Sequence, residues 1–333
     1  MTAVDAIVLT YRPELALRRC IDSLAGYAQV NVVVAVNNDS RGAATAQTVL
    51  GEGLLPHGAT LLHLGRNWGF AEGINRAVAE TSSPLILLLN DDAWLTSGAL
   101  EEMVFALEQA PAETAGVVPK ILLGDSDLID AVGARVGVDG SVSNRGFGRQ
   151  DVGEFDTPGP VEGACFAAVL LRRRALEEVG PLWSPYFMYA EDADWCLRAR
   201  LAGWRFLTCP TAIVRHEHSA SASTHPESWK AFYIRRNSML MVLRCFPPRH
   251  ALGLTCLHLC QAIGGKWADC GNRLRMTASF ARHVPRALAT RRGIRGVLGP
   301  HSLDAQIFGP SPIWRHKARI RLQRRLARRR EAM

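Results

Sequence analysis

Apolar runs and helical patterns alternate over the first 90 residues, and this order constrains the fold more than any other feature of the chain. The apolar runs have the length and composition of buried strands and lie at residues 3–9, 30–36, 60–64 and 84–89. Helical patterns separate them at about 14–24, 43–50 and 71–80. A β-α-β-α-β-α-β order predicts a parallel sheet with helices on both of its faces.

Each of these predicted strands ends in polar residues. They are Thr10 and Tyr11, residues 37–40, residues 65–67, and the triplet Asn90, Asp91 and Asp92. Ligands of open α/β sheets bind in the crevice beyond the carboxyl ends of the strands, so we expect the four segments to share one rim. The triplet suits a hard divalent cation that bridges phosphate oxygens, although such clusters also end strands without binding a ligand.

The residue pattern from 98 to 224 predicts further strands and helices on either side of a glycine-rich stretch. The strands are predicted at 115–122, 164–171 and 204–209, and the helices at 98–109, 173–179 and 192–202. Residues 124–160 carry eight glycines and little periodicity, which indicates loops with a hairpin.

Three further segments carry chemistry. An acidic run, Glu191-Asp192 and Asp194, follows aromatic residues at a helix start, which suits a general base for a sugar hydroxyl; ordinary helix capping is the alternative. His216 follows an apolar run and is either a nitrogen ligand to a metal or a surface histidine. The loop and helix start at 67–75 present backbone amides to a nucleotide or phosphate, or use their glycines for close packing.

Charge divides the chain into two regions. Residues 225–333 hold 22 Lys and Arg against 4 Asp and Glu, whereas residues 1–224 hold 17 against 27. We therefore predict two regions with different partners, a domain over 1–224 and a basic, amphipathic helical region over 225–333, with helices at about 227–245, 250–263 and 270–290. Basic amphipathic helices lie on anionic membranes, which predicts a membrane partner, with a solvated helical face as the alternative. No recognised motif supports nucleic-acid binding.

The N-terminus and the cysteines bear on location. The first residues have no basic n-region before their short apolar run, so we predict a cytoplasmic protein, peripheral on the inner face of the plasma membrane. No apolar run reaches the roughly 20 residues that span a bilayer. The eight cysteines form no CxxC pair, which favours small buried hydrophobic residues over a zinc site or disulfides.

Seven segments, taken in order, resemble the inverting family 2 glycosyltransferases with the GT-A fold, particularly bacterial rhamnosyltransferase-like members. They lie within residues 3–221, at 8–11, 33–40, 67–75, 87–92, 162–165, 187–198 and 216–221. The resemblance implies an α/β nucleotide-diphospho-sugar transferase fold with a Rossmann-like, mostly parallel sheet. It also implies transfer of a sugar from a nucleotide diphosphate to a hydroxyl of a glycan or lipid-linked acceptor in cell-wall or surface polysaccharide synthesis.

The resemblance implies roles for individual residues. Nucleotide-sugar binding is assigned to the strand ends and the glycine-containing loop: Thr10, Tyr11, Asn37, Asp39, Asn67, Gly69, Asn75, Asn90 and Asp91. Mg²⁺ or Mn²⁺ is assigned to Asp92, the last acid of the DxD element, and to His216, five residues before Ser221, with His218 in reserve. Asp192 matches the catalytic base. Acceptor binding is assigned to Glu191, Asp194, Trp195 and Gly163.

The donor and the reaction class have alternatives. Asn37 and Asn90 stand where the family often has Asp, which keeps hydrogen bonding but drops a charge. dTDP-rhamnose is the first donor by likeness, followed by UDP-galactofuranose, UDP-glucose or UDP-N-acetylglucosamine. A sugar-nucleotide nucleotidyltransferase is a rival, but it requires a Gly-rich loop after the first strand, and residues 10–13 contain no glycine. The second alternative is a non-enzymatic protein that binds anionic membranes, but this alternative does not explain the net negative charge of residues 1–224.

Overall fold

A computed structural model of the protein describes residues 2–11, 15–27, 30–38, 44–46, 59–137, 139–217, 226–248, 251–256 and 270–295. Its strands are β1 (Val4–Thr10), β2 (Val30–Val36), β3 (Thr60–His63), β4 (Leu85–Asn90), β5 (Ala93–Leu95), β6 (Thr114–Leu123), β7 (Ile129–Ala131), β8 (Ala134–Val136), β9 (Val142–Asn144), β10 (Pro160–Val161), β11 (Ala168–Arg172) and β12 (Arg205–His216). Its longer helices are α1 (Leu15–Leu24), α2 (Gly69–Ala79), α3 (Ala99–Gln109), α4 (Arg173–Val179), α5 (Glu191–Leu201), α6 (Glu227–Cys245) and α7 (Cys270–Arg295).

Ten strands form one mixed sheet in the order β10-β12-β6-β11-β4-β1-β2-β3, with β5 beside β12 and β7 beside β6. The neighbours β3, β2, β1 and β4 are parallel, as the strand and helix order predicted. β11 runs antiparallel between β4 and β6, so the sheet is mostly rather than wholly parallel. β8 and β9 pair as the hairpin expected within the glycine-rich stretch.

The central strands are apolar because helices cover both faces of the sheet. Leu87 of β4 lies in the core under α1 and α3, and its neighbour Leu88 lies in the core under α2, α4 and α5. A third apolar cluster joins α5 to α6 and α7, with Phe246 and Phe280 buried in it. Through this cluster the first helix of the basic region packs directly on the helix that opens with the acidic run.

Two strand predictions differ from the structure, and some short strands were not predicted. The strand predicted at 164–171 begins only at Ala168, because residues 164–167 form loop and turn. The strand predicted at 204–209 continues as β12 to His216, past a register shift between Cys209 and Ile213. β5 was not predicted, since three residues carry no periodic signal.

Some predictions concern residues that the structure does not describe. They are the sites at Asp39 and His218, the Ser221 of the histidine motif, most of the helix at 43–50, much of that at 250–263, and the basic tail beyond residue 295. The described parts, 44–46 and 251–256, are helical. The division at residue 224 stays a prediction.

Candidate active site

Three strands bring Asn90, Asp92 and His216 together at the carboxyl edge of the sheet. β5 pairs antiparallel with the end of β12, which places His216 opposite Ala93. Nε2 of His216 lies 3.1 Å from Oδ1 of Asp92 and 3.4 Å from Nδ2 of Asn90. The backbone N–H of Glu217 also donates to the carbonyl of Asp92 at 3.0 Å. The extension of β12 is therefore what carries the histidine to the acidic turn.

Asp130 of β7 completes this cluster, and the sequence analysis missed it. Its Oδ2 lies 2.8 Å from Nδ1 of His216, and its side chain is fully buried. Burial alone would lower the pKa of His216, but the hydrogen bonds to Asp130 and Asp92 raise it to about 10. A carboxylate on one ring nitrogen fixes the imidazole and directs the other nitrogen outward. The one sequence signal for Asp130 is a lone acid within the apolar residues 128–132.

The donor set of this edge fits a hard divalent cation. Asp92 supplies carboxylate oxygen and His216 supplies an imidazole nitrogen, and both are common ligands of such ions. Burial and then the charge of Asp92 raise the pKa of Asp91 to about 7, so a cation at this edge would relieve repulsion between the two carboxylates. Within the described ranges, no three His, Cys, Asp or Glu side chains are arranged to hold a metal by themselves.

Asp192 lies in the first turn of α5, where the helix dipole favours negative charge. The N–H of Ala193 donates to its Oδ1 at 2.7 Å. Burial raises the pKa of Asp192, and the backbone amides of Ala193 and Phe166 partly offset that rise. Burial and the adjacent charge of Asp192 raise the pKa of Glu191 well above its usual range. Both carboxyl groups are therefore harder to ionise than in water, and the negative charge of one disfavours ionisation of the other.

Cys165 connects the two acidic sites. Burial raises the pKa of its thiol, and the charges of Asp130 and Asp192 raise it further. The pKa of one half-buried thiol is thus raised both by the carboxylate that holds His216 and by the carboxylate at the start of α5. Two residues on, the carbonyl of Ala167 accepts the N–H of Asn90 at 2.9 Å. The segment from 165 to 167 lies between the candidate metal site and the candidate base.

Two asparagines predicted to hold the nucleotide organise loops. Asn37 is buried; its Oδ1 accepts the N–H of Trp68 at 2.8 Å, and its Nδ2 donates to the carbonyl of Gly69 at 2.9 Å. Asn75 accepts the N–H of Leu182 at 2.9 Å and donates to its carbonyl at 2.8 Å. The polar atoms of both amides bind backbone groups, and direct contact of these amides with the nucleotide stays a prediction.

The other nucleotide-site predictions meet mixed surroundings. Thr10 is fully buried, and its hydroxyl has no hydrogen-bond partner among the described residues. Gly69 has φ +77°, and a Cβ there would collide with the carbonyl of Phe187, which accounts for the glycine. Asn67 is exposed and its Oδ1 accepts the N–H of Gly69 at 2.9 Å, while Tyr11 is half-buried. Asn67 and Tyr11 remain candidates for the nucleotide.

Two of the predicted acceptor residues belong to the core, and their assignment is wrong. The carboxylate of Asp194 is fully buried and is bound by Arg198, Arg244 and the hydroxyl of Tyr186. Trp195 is fully buried, and its indole N–H donates to the carbonyl of Gly180 at 2.9 Å. Neither side chain faces an acceptor.

The remaining two acceptor predictions are not settled by the geometry. Gly163 is close-packed on α5, since a Cβ there would lie 2.9 Å from Cβ of Cys196. Glu191 is buried, and its Oε2 has no hydrogen-bond partner among the described residues.

The mixed, mostly parallel sheet with helices on both faces is that of the GT-A glycosyltransferases, which transfer sugars from nucleotide sugars. The family described as "Glycosyltransferase like family 2" matches residues 2–238, and the chain belongs to this family. Among curated proteins, the chain is similar to the N-acetylglucosaminyl-diphospho-decaprenol L-rhamnosyltransferase of Mycobacterium tuberculosis (strain ATCC 25618 / H37Rv). The two are 26% identical over 254 residues, which cover 68% of this chain and 79% of the relative.

Solved structures show the same fold at low identity. A mannosyltransferase from Pyrobaculum calidifontis, in complex with GDP-Man and Mn²⁺, aligns with a TM-score of 0.51 at 14% identity and covers 89% of this chain and 86% of that one. S. aureus TarS 1-349, in complex with UDP-GlcNAc, aligns with a TM-score of 0.53 at 13% identity, over 89% and 88% of the two chains. These likenesses show the GT-A fold.

Proposed function

We propose that this glycosyltransferase is metal-dependent and inverts the anomeric centre of the sugar that it transfers. The observation that carries the proposal is the contact of His216 with Asp92 on one ring nitrogen and with Asp130 on the other. This arrangement is the carboxylate–histidine pairing found at protein metal sites. The cluster lies at the strand edge where ligands of such sheets bind, and Asp192 lies beside the adjoining segment.

The residues divide the chemistry between binding and proton removal. Asp92 and His216 would hold Mg²⁺ or Mn²⁺, which when bound supplies positive charge for the diphosphate as it leaves the sugar. Asp130 keeps Nδ1 of His216 engaged, so that Nε2 faces Asp92. Asp192 accepts the proton of the acceptor hydroxyl, whose oxygen attacks the anomeric carbon on the face opposite the leaving diphosphate. Burial and the charge of Asp192 raise the pKa of Glu191, which disfavours a second negative charge beside the base.

Substitutions at Asp192 and Asp92 test the two halves of this mechanism separately. Asp192→Asn should abolish transfer while the thermal shift produced by donor plus Mn²⁺ stays as in the wild type. Asp92→Asn should lose that metal-dependent shift. If Asp192→Asn transfers sugar at near the wild-type rate, the base assignment is wrong. If Asp92→Asn keeps the shift, the metal assignment is wrong.

For the substrates we propose dTDP-rhamnose as donor and a lipid-linked diphosphate sugar as acceptor, in cell-wall or surface polysaccharide synthesis. The support is the M. tuberculosis relative, whose name gives a rhamnose transfer to N-acetylglucosaminyl-diphospho-decaprenol. A UDP-sugar is the alternative donor. Thermal shifts across a panel of dTDP-, UDP- and GDP-sugars with Mn²⁺ would decide, because the ligand that binds the native state raises its apparent stability.

We also propose that the basic region docks the enzyme on the anionic inner face of the plasma membrane. The exposed face of α7 combines apolar residues with arginines: Leu274, Arg275, Ala278, Ala281, Arg282, Arg286 and Leu288. The helix contains no Asp or Glu, and such a face suits the interface of an anionic bilayer. Among the described helices, none has the length and apolarity to cross a bilayer.

Flotation of the full chain with vesicles tests this docking. Leu274→Asp together with Leu288→Asp should reduce binding to vesicles that contain anionic lipid. Phe105→Asp is the matched control, because Phe105 is 62% exposed on α3, near Leu274 in exposure at 66%. Equal binding to neutral vesicles would remove the electrostatic part of the proposal. Unchanged binding by the α7 variant would remove the helix from it.

A further inference from the structure

The backbone just before Asp192 adopts a conformation that side chains disfavour. Phe187, Tyr189 and Ala190 have φ of 65°, 71° and 68°, and no other described non-glycine residue has positive φ. At Phe187 the φ, ψ pair of 65°, −60° and the 2.7 Å bond from the N–H of Met188 to the carbonyl of Tyr186 make a γ-turn of the rare, strained kind. Such strain persists only where surrounding structure holds it.

Two neighbouring side chains of α6 hold this segment. Asn237 donates through Nδ2 to the carbonyls of Tyr186, Met188 and Tyr189, at 3.0, 2.7 and 2.7 Å. Arg236 donates through Nη2 to the carbonyls of residues 185 and 186, at 2.8 and 2.7 Å. Its Nε also donates to Oδ1 of Asn237 at 2.8 Å, which orients the amide with its nitrogen toward the loop.

The side chains of Asn237 and Arg236 are themselves held by burial and by ring contacts. Asn237 is fully buried and Arg236 nearly so. The guanidinium of Arg236 lies 4.8 Å from the ring centroid of Tyr233, and that ring stacks on Phe187 with 5.4 Å between centroids. Both the backbone and the side chain of the strained turn therefore rest on one face of α6.

The same segment also contacts the start of α2. The carbonyl of Phe187 accepts the N–H of Phe70 at 2.5 Å, and Gly69 has no room for a Cβ against it. On its other side, the carbonyl of Ala190 accepts the N–H of Asp194, the first helical bond of α5. A shift of the turn would therefore move the start of α5, and Asp192 with it, relative to the sheet edge.

We propose that Arg236 and Asn237 are positioning residues that set the place of the carboxylate of Asp192 by holding residues 185–190 in their strained form. The proposal rests on the proposed role of Asp192 as the base. It assigns a function in the transfer step to two residues of the region beyond 225, outside every segment that the sequence analysis associated with chemistry.

Asn237→Ser is the primary test, because serine keeps a polar group but cannot reach three carbonyls. We expect kcat to fall on the order of 10- to 100-fold, since a displacement of about 1 Å at a catalytic group has an effect of that size. The donor KM and the Mn²⁺-dependent thermal shift should stay within about twofold of wild type, because neither Arg236 nor Asn237 contacts Asp92 or His216. Asn272→Ser is the matched control. The Nδ2 of Asn272, on α7, donates to the carbonyl of Ser228, on α6, at 3.0 Å, and this side chain does not contact the turn.

A double variant separates this proposal from the base assignment. If Asn237 acts through Asp192, Asn237→Ser should slow the wild type by a larger factor than it slows an Asp192→Glu variant, whose carboxylate is already displaced. Equal factors in the two backgrounds would show that the two residues act independently and would overturn the proposal. A folded Asn237→Ser variant with wild-type kcat would overturn the proposal. An active Asp192→Asn variant would overturn the base assignment instead.

A second variant covers loss of folding. Arg236→Lys keeps the charge but loses the forked donor, and it should show the same selective loss of kcat. Ala190→Gly added to Asn237→Ser should restore part of the loss, because glycine accepts positive φ without strain. If neither Asn237→Ser nor Arg236→Lys folds, the pair supports the whole fold rather than the base, and the proposal fails.

Discussion

Replacing Asp194 with Asn should destabilise the protein strongly, because this carboxylate is the buried counter-charge of two arginines. Its Oδ2 accepts from Nε of Arg198 at 2.9 Å, and its Oδ1 accepts from the hydroxyl of Tyr186 at 2.8 Å and from Nη1 of Arg244. Arg198 and Arg244 are only 7% and 3% exposed, so water cannot replace the lost partner. Arg244 also lies 4.4 Å from the ring centroid of Trp183, which ties the cluster to the segment before the strained turn.

The expected magnitude follows from the burial of the whole cluster. Asparagine keeps the shape of Asp194 and removes its charge, which leaves two buried cations uncompensated. Removing one partner of a buried ion pair costs about 3–5 kcal/mol. For a domain of this size 1 kcal/mol corresponds to roughly 2–4 °C, so Tm should fall by about 6–20 °C.

Thermal and urea unfolding of Asp194→Asn and of a surface control measure this loss. Asp22→Asn removes an exposed pair with Arg18, also at 2.9 Å, and should change stability by only about 0.5 kcal/mol. Burial raises the pKa of Asp194, but Arg244 and Arg198 outweigh it and lower the pKa below 3.8. The stabilisation is therefore present above that pH and is lost as the pH falls through the folded-state pKa, so the gap to wild type should narrow in acid.

The outcome also decides between two roles for Asp194. A loss of less than about 1 kcal/mol would show that the two arginines do not depend on this carboxylate, and the reasoning from burial would be refuted. Unchanged stability together with a raised acceptor KM would restore the acceptor role that the structure argues against.

Three further predictions concern the candidate site. Asp130→Asn should weaken Mn²⁺ binding by about 10- to 100-fold in a metal titration, whereas Asp127→Asn, on the exposed turn before β7, should leave it unchanged; equal affinities would exclude a role for Asp130. Because burial raises the pKa of Asp192 and only its ionised form accepts a proton, the transfer rate should fall as pH falls, with a midpoint above 3.8; a midpoint at or below 3.8 would contradict this. Gly65→Ala, at φ +76° with open space around it, should lower the free energy of unfolding in urea by about 1–2 kcal/mol. Gly69→Ala, at φ +77° against Phe187, should lower it by more. Equal losses of stability would show that the contact with Phe187 is unimportant.

The sequence predicted the elements that are buried on both faces and could not predict pairings between distant segments. β1, β2 and β4 are continuous apolar runs because helices cover the sheet on both sides, and this composition is visible without a structure. The extension of β12 was missed because polar residues and Pro210 interrupt its apolar pattern. That extension brings His216 to Asp92, and the short strand β7 brings Asp130 to His216. Both contacts depend on strand register, which no local pattern encodes.

The surroundings of the asparagines and of the acidic run could not be read from the sequence, for different physical reasons. A polar residue at a strand end has the same sequence signature whether its amide binds a ligand or backbone, so the engagement of Asn37 and Asn75 required the tertiary structure. Asp192 and Asp194 are different, because helical geometry alone separates them. Residues two apart on a helix do not face each other, so both acids could not serve one site. Asp194 turns inward to two arginines, and Asp192 stays at the helix start.

Some arginines of the basic region are buried and bind groups of the protein, and others are exposed on its surface. Helix α6 packs on α7 and holds residues 185–190. Arg236 and Arg244 on α6 and Arg291 on α7 are buried and bind groups of the protein itself, so the net charge of residues 225–333 overstates what a membrane can attract. Among the described residues of this region, exposed arginines such as Arg275, Arg282 and Arg286 of α7 are available to a membrane. Because α7 packs on α6 and α6 holds residues 185–190, a membrane docked on α7 would be connected through one rigid helix pair to the start of α5. In the proposed function, docking would then set the direction from which a lipid-linked hydroxyl approaches Asp192.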